Sequence, residues 1–377
     1  MEDLGIGQKT LIPTQVRPLA EVVGSYTYFA DGDVLLAKIT PCFENGKLGI
    51  AEGLSNGVGF GSSEYIVFRP GSLIDKGWLY YFLSRETFRR EGAKRMSGAV
   101  GHKRVSKEFI ETHPIPLPPL PEQKRIVAIL DEAFEGTDTA IANAKKNLAS
   151  ARELFDSYLT SIFAHRDATW DEKTLQQVSI TFGRGKSRHR PRNDPKLYGG
   201  RYPFIQTGEV RNCDHIILES TQTYNEAGLA QSKIWPKGTI CITIAANIAE
   251  TGILGFDACF PDSIIGVVVD PNETTSDFVR YLLEYVKAQL KAEGKGSAQD
   301  NINLATFESR KFPFPPLIKQ KQFVEALSYL SEKVRQLQVN YEQKLIDFAE
   351  LKQAILHKAF AGELTKPAVS AVREAVE

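Results

Sequence analysis

Between residues 115 and 163 the apolar and small side chains fall in steps of three and four: Ile126, Leu130, Ala133, Thr137, Ile141, Ala144, Leu148, Ala151, Phe155, Leu159 and Ile162. That spacing, a seam of roughly 3.5-residue period, predicts one coiled-coil helix. At ~1.5 Å per residue it would run about 60–65 Å, too long for an ordinary globular domain, so it needs a partner. Pro121 suits a first helical position, where its missing N–H costs nothing, and Glu122 suits the positive helix end.

A second seam supplies the partner, through Phe323, Leu327, Leu330, Val334, Leu337, Tyr341, Leu345, Phe348, Leu351 and Ile355. Gly362 is placed to stop it as a C-cap. Pro315, Pro316 and Leu317 repeat Pro118, Pro119 and Leu120, and Gln320 repeats Gln123. The chain therefore reads as a tandem repeat of roughly 200 residues, each copy a globular segment closed by one long helix. Two matched helices in one chain favour pairing with each other. Ile318 and Lys319 stand where the first copy has Pro121 and Glu122, which predicts a weaker start for the second helix.

In the first globular segment, runs at 33–39, 47–51 and 64–68 bounded by Gly, Asn and Pro turns predict strands. Trp78, Tyr81, Phe82 and Arg85 at helical spacing predict a helix over 78–88. The second segment follows the same plan, with 239–244, 252–256 and 264–269 answering those strands and 278–283 answering the helix.

The chain's 377 residues suit two or three domains. Its 46 basic and 46 acidic residues argue against a basic nucleic-acid tail but leave room for local patches. Cys42, Cys213, Cys241 and Cys259 are scattered without zinc-ligand spacing and read as free thiols in a reducing cytosol. No apolar run reaches the ~18 residues of a membrane span. A soluble, cytoplasmic chain is expected.

Basic residues carry the candidate chemistry. After the helix of the first segment come Arg89, Arg90, Lys94 and Arg95, then Lys103 and Arg104, read as a glycine-bearing basic loop. Lys291 and Lys295 follow the helix of the second segment. A solvated surface is the ordinary reading of such runs, but recurrence at matching places in both copies favours phosphate contacts. The second segment adds a glycine-led run of its own: Arg184, Lys186, Arg188, Arg190 and Arg192. Arginine is the side chain best matched to phosphate and to guanine edges. A P-loop reading of Gly185-Lys186-Ser187 fails because Ile180 stands where a glycine is needed. A methyltransferase signature is missing, with Asp194-Pro195-Lys196 its nearest approach. Pro261-Asp262 with Glu293, Gly294 and Lys295 imitates the metal pattern of many nucleases, but the first copy has Gly61 and Ser62 there. No catalytic constellation stands out.

Two variable segments, each closed by a proline-leucine stretch with a glutamine and a long helix, resemble the specificity subunit of type I restriction–modification systems. The residues that carry the likeness are 115–125 (IPLPPLPEQKR) and 351–364 (LKQAILHKAFAGEL). The resemblance implies an α+β chain: two mixed α/β globular target-recognition domains in tandem repeat, separated and joined by two long helices forming an antiparallel coiled coil. Its parts would be a first recognition domain at 1–114, a central helical region at 115–166, a second recognition domain at 167–311, a distal helical region at 312–366 and a tail at 367–377. It further implies double-stranded DNA, two methyltransferase subunits and a restriction or translocase subunit as partners. The chain itself would be non-catalytic and without a cofactor, with S-adenosylmethionine, ATP and magnesium on the partner subunits. A bare coiled-coil adaptor, or a nuclease with a cryptic metal site, are the alternatives.

Aligning the copies places residues 2–4 opposite 208–210, so nothing in the first matches 170–206. The first recognition domain is therefore expected to be incomplete, with one strand fewer and a bare sheet edge.

Overall fold

The computed structural model describes residues 2–99, 101–244, 250–292, 307 and 309–364. Both seams form helices, Leu120–Ala164 and Leu317–Phe360, of 45 and 44 residues. At ~1.5 Å per residue each is about 66 Å long. They start at matching places: the N–H of Gln123 donates to Pro119 O and that of Gln320 to Pro316 O, each at 3.1 Å. Ile318 and Lys319 thus do not delay the second start, because a buried glutamine fixes it, as described below. The second helix ends in a Schellman turn. Gly362 takes φ +71°, its N–H donates to Ala359 O at 3.2 Å, and Glu363 N–H donates to Lys358 O at 2.9 Å.

The chain divides into two compact units, Met1–Lys146 with Tyr341–Glu377, and Asn147–Asn340. Each holds one globular segment, the start of one long helix and the end of the other. In the first unit Ile126 and Leu130 share a core with Leu356 and Ala359, and Lys352 pairs with Asp138. In the second, Ala151, Phe155 and Leu159 share a core with Leu327 and Val334. Within each unit the two helices therefore run antiparallel. No helix among the described residues is long and apolar enough to cross a membrane.

The first unit is built on an antiparallel sheet in the order Leu48–Ile50, Val34–Ala37, Tyr65–Phe68. Val34, Leu36 and Ile50 turn one face of it onto Trp78, Leu79 and Phe82. The helix carrying those residues spans Lys76–Ser84, with Asp75 as N-cap accepting from Gly77 and Trp78 N–H. It does not continue to 88. The chain turns extended at Arg85 and restarts as Glu86–Lys94, so the expected basic loop is mostly helix. Two remote groups cause the break. The Arg85 guanidinium lies 3.9 Å from the Phe82 ring centroid and 5.0 Å from that of Phe360, and Gln353 Oε1 accepts the Glu86 N–H at 2.8 Å. Gly92 on the new helix lets Phe43 and Phe109 pack against it.

The second unit repeats this frame and enlarges it. Its sheet runs Ser179–Arg184, Ile264–Val269, Ile240–Thr243, Thr251–Leu254, Ile216–Ile217. The middle three strands match those of the first unit: Val34 faces Phe68 and Ile50 as Ile240 faces Val267 and Ile253. A further sheet, ordered Gln222–Tyr224, Tyr198–Phe204, Ala258–Cys259, Ile234–Trp235, belongs to this unit. Among the described residues no strand covers the outer edge of Tyr65–Phe68, where Ser179–Arg184 covers Ile264–Val269. The shared alignment also holds at the other edge. Leu4 and Leu11 are buried where Val210 and Ile217 are, and Leu11 N–H donates to Ile50 O at 2.8 Å.

One device joins helix to sheet domain in both units. Gln123, buried, donates from Nε2 to Leu73 O (3.0 Å) and Pro118 O (2.8 Å) and accepts from Asp75 N–H (2.9 Å). Gln320, equally buried, donates to Glu273 O (2.9 Å) and Pro315 O (2.8 Å) and accepts from the Thr274 hydroxyl (2.7 Å). A glutamine amide can donate and accept at once, so one side chain satisfies the loop before the short helix and the proline turn before the long one.

Candidate nucleic-acid interface

Strand Ser179–Arg184 carries on past its end beside the strand it pairs with, and Gly185 N–H donates to Ile264 O at 2.9 Å. Gly185 has to be glycine: a Cβ there would lie 2.2 Å from the Phe260 carbonyl oxygen and 2.5 Å from that of Pro261. The extended backbone alternates its sides, so Gly185 and Ser187 are buried while Arg184, Lys186 and Arg188 are exposed. None of these three cations has an ion pair among the described residues.

Farther along, the arginines are held. Arg192 Nη2 donates to Asp262 Oδ1 at 2.6 Å, and Arg190 Nη2 lies 3.9 Å from the other oxygen of Asp262. Arg190 Nη1 also donates to Ser187 O and His189 O, at 2.6 and 2.8 Å. His189 N–H donates to Gln231 Oε1 at 3.0 Å, the Ser232 hydroxyl to Lys186 O at 2.8 Å, and the Tyr198 hydroxyl to Arg192 O at 2.7 Å. His189 Nε2 sits 2.9 Å from Asp194, whose carboxyl is held below its ordinary range by the Lys196 N–H and then by His189. The run is an exposed loop tied to its neighbours at several points.

The structure adds Lys233, which the sequence offered no reason to choose. Its ammonium lies 3.9 Å from the Trp235 ring centroid. Partial burial, and then the charge of Lys186, pull it below its ordinary value. The hydrogen bond from the neighbouring Ser232 hydroxyl to Lys186 O is what brings the two segments together.

In the first unit Lys94 ends the helix Glu86–Lys94, and Arg95 follows with its guanidinium 5.1 Å from the Phe109 ring centroid. Arg89 turns inward and donates to Ser84 O. Lys103 and Arg104 reach the same surface because Ser97 and Arg104 exchange backbone hydrogen bonds at 3.0 and 2.8 Å. Lys94 and Lys103 are exposed without ion pairs among the described residues. Arg104 is clamped by Glu64, which accepts from its Nε at 2.9 Å and its Nη2 at 2.6 Å. In the second unit Lys291 lies on the helix Ser276–Ala292, but its side chain and all of Lys295 fall outside the described residues.

Each repeat, taken with part of its long helix, matches the model of the type I restriction modification DNA specificity domain, over residues 21–149 and 168–345. The chain belongs to that family. The type I restriction enzyme EcoAI specificity subunit of Escherichia coli is 37% identical to this chain over 149 residues, which are 39% of the chain and 25% of that protein. The chain spans only about a quarter of the length of the first curated relatives it matches. Likeness in fold extends further. A chain solved in work on complex assembly and conformational transition of the type I R-M system superposes with a TM-score of 0.77 at 21% identity, covering 92% of this chain and 86% of that one. The HsdS subunit from Thermoanaerobacter tengcongensis gives 0.61 at 20% identity, covering 96% and 89%. Asp262, one member of the nuclease-like pattern, is engaged with Arg192, while Glu293 and Lys295 lie outside the described residues. Among the described residues no group of three or more His, Cys, Asp or Glu is placed to hold a metal ion.

Proposed function

We propose that the chain is the DNA-reading subunit of a type I restriction–modification complex, each unit addressing one half of a split, asymmetric site. The observation that carries this is the pinned extended segment with Arg184, Lys186 and Arg188 exposed and unpaired on one side. Cations carried on a held main chain at the spacing of alternate strand residues, about 6.6 Å, can follow a phosphate backbone without a cost for ordering that main chain. Family membership supports the wider reading. Two methyltransferase subunits and a restriction or translocase subunit would dock on the helical regions and carry S-adenosylmethionine, ATP, magnesium and the chemistry, and the chain alone would bind DNA without methylating it. The matched lengths of the two long helices favour their serving as a spacer, so one added heptad in both should widen the preferred site by about 10 Å, or roughly three base pairs.

The decisive measurement is binding against salt. Replacing Arg184, Lys186 and Arg188 together by alanine should weaken binding and reduce the slope of log K on log salt by up to about 0.9 for each phosphate that is no longer neutralised. An unchanged slope would remove this segment from the interface.

A further inference from the structure

The exposed cations differ in one respect that both units share. Arg104 is fixed twice over: its backbone is bonded to Ser97, and its Nε and Nη2 donate to Glu64 while Nη1 donates to His102 O at 3.0 Å. A guanidinium has five N–H groups. With three engaged, one remains on each terminal nitrogen, enough for the two bonds that O6 and N7 of guanine accept. Glu64 stands in the turn just before strand Tyr65–Phe68. In the second unit Asp262 stands in the equivalent turn before Ile264–Val269, and there it holds Arg192, with Arg190 close by. The turn is locked against the arginine segment by Gly185 under Phe260 and Pro261. Lys94, Lys103, Arg184, Lys186 and Arg188 have no such acid among the described residues.

We propose that Glu64 and Asp262 are specificity-determining positioning residues, each aiming one arginine, Arg104 or Arg192, at a guanine edge. The unpaired cations then neutralise phosphate. The inference rests on the DNA-reading function proposed above. A buttressed arginine loses little side-chain freedom on meeting a base, so its hydrogen bonds there are worth more than those of a free one. The neighbouring carboxylate also repels phosphate, so the pair gains nothing from backbone-only encounters with non-target DNA. Hydrogen bonding to Arg104 holds the Glu64 carboxyl below its ordinary range, which keeps that charge in place at neutral pH.

The test is selection of bound duplexes from a random pool by the full chain, with affinity for a random duplex measured alongside. E64Q and R104K should flatten the preference for guanine at one and the same position, by about tenfold or more for a bidentate base contact. D262N and R192K should do so at a different position. E64Q and D262N should bind random duplex as well as the parent or better, while K103A should weaken all duplexes alike and leave the selected sequence intact. R104K and R192K keep the charge and leave the acids in place, so they report even if an acid variant folds poorly. The proposal is overturned if E64Q and R104K weaken every duplex equally with guanine still selected. A parent chain that selects no sequence at all would instead overturn the DNA-reading function beneath it.

Discussion

Strand Val34–Ala37 of the first unit is preceded by Asp33, a carboxylate 1% exposed, and the matching strand Ile240–Thr243 of the second by Thr239, a hydroxyl fully buried. Asp33 accepts from Arg69 Nε and Nη2 at 2.8 and 2.6 Å and from Ala30 N–H, whereas Thr239 donates to Pro236 O at 2.6 Å. The contrast recurs where the short helix meets the long one. Tyr81 donates to Asp131, which also takes Lys9, while Tyr281 meets the Ser328 hydroxyl at 3.2 Å. Asp131 and Ser328 lie at the same distance along their helices from Gln123 and Gln320. The first unit thus uses charge where the second uses neutral hydroxyls. Repeats of one frame tolerate this because a buried polar group needs a partner, not a particular partner. The glutamines are the exception, since few other side chains both donate and accept across that gap.

The comparison can be pressed hardest at those glutamines. Gln123→Ala and Gln320→Ala should each cost their own unit about 3 kcal/mol, through broken hydrogen bonds and orphaned buried partners. Native-state hydrogen exchange read unit by unit would show it, and a loss in one unit only would end the claim that the two latches are equivalent. Acid should separate the units next. Hydrogen bonding to Arg69 holds the Asp33 carboxyl below its ordinary range. The unfolded chain therefore takes up the proton first, so the stabilisation is complete above the unfolded value of ~3.9 and disappears as pH falls through the folded one. Asp167 and Asp194 in the second unit are also held low, but water screens them. Below about pH 4 the first unit should lose exchange protection before the second. Asp33→Asn should cost about 2 kcal/mol at neutral pH and narrow that acid gap.

Smaller effects sharpen the contrast. Tyr81→Phe removes a bond to a carboxylate and should cost about 1.5–2 kcal/mol, against about 0.5–1 for Tyr281→Phe, by thermal or denaturant unfolding. Equal costs would mean that the charge on Asp131 adds nothing. The most local effect concerns outward-facing amides of Tyr65–Phe68, which have no strand beyond them among the described residues. They should exchange faster than those of Ile264–Val269, and matched rates would show that edge to be covered in solution.

The seams, the repeat, the sheet strands and the paired glutamines were legible because each is a local pattern recurring at fixed spacing. The break at Arg85 was not, because nothing between 76 and 94 forbids one helix; Phe360 and Gln353, far along the chain, impose it. The same division runs through the candidate site. The cations from Arg184 to Arg192 announce themselves as a run, whereas the acids that sort them, Asp262 and Glu64, and the added Lys233, come from turns and strands remote in sequence. Charge is visible residue by residue, but pairing is a property of the fold.

The alternation at 184–188 has a consequence for how such a chain can change. Gly185 and Ser187 hold the backbone path, and Arg184, Lys186 and Arg188 hold only chemistry. Inheritance can therefore rewrite the second without disturbing the first. A randomised library confined to codons 184, 186 and 188 should leave nearly every member folded and spread them over many binding preferences. Opening codon 185 to any larger residue should empty the same library, since the clash falls on backbone oxygens that cannot move aside.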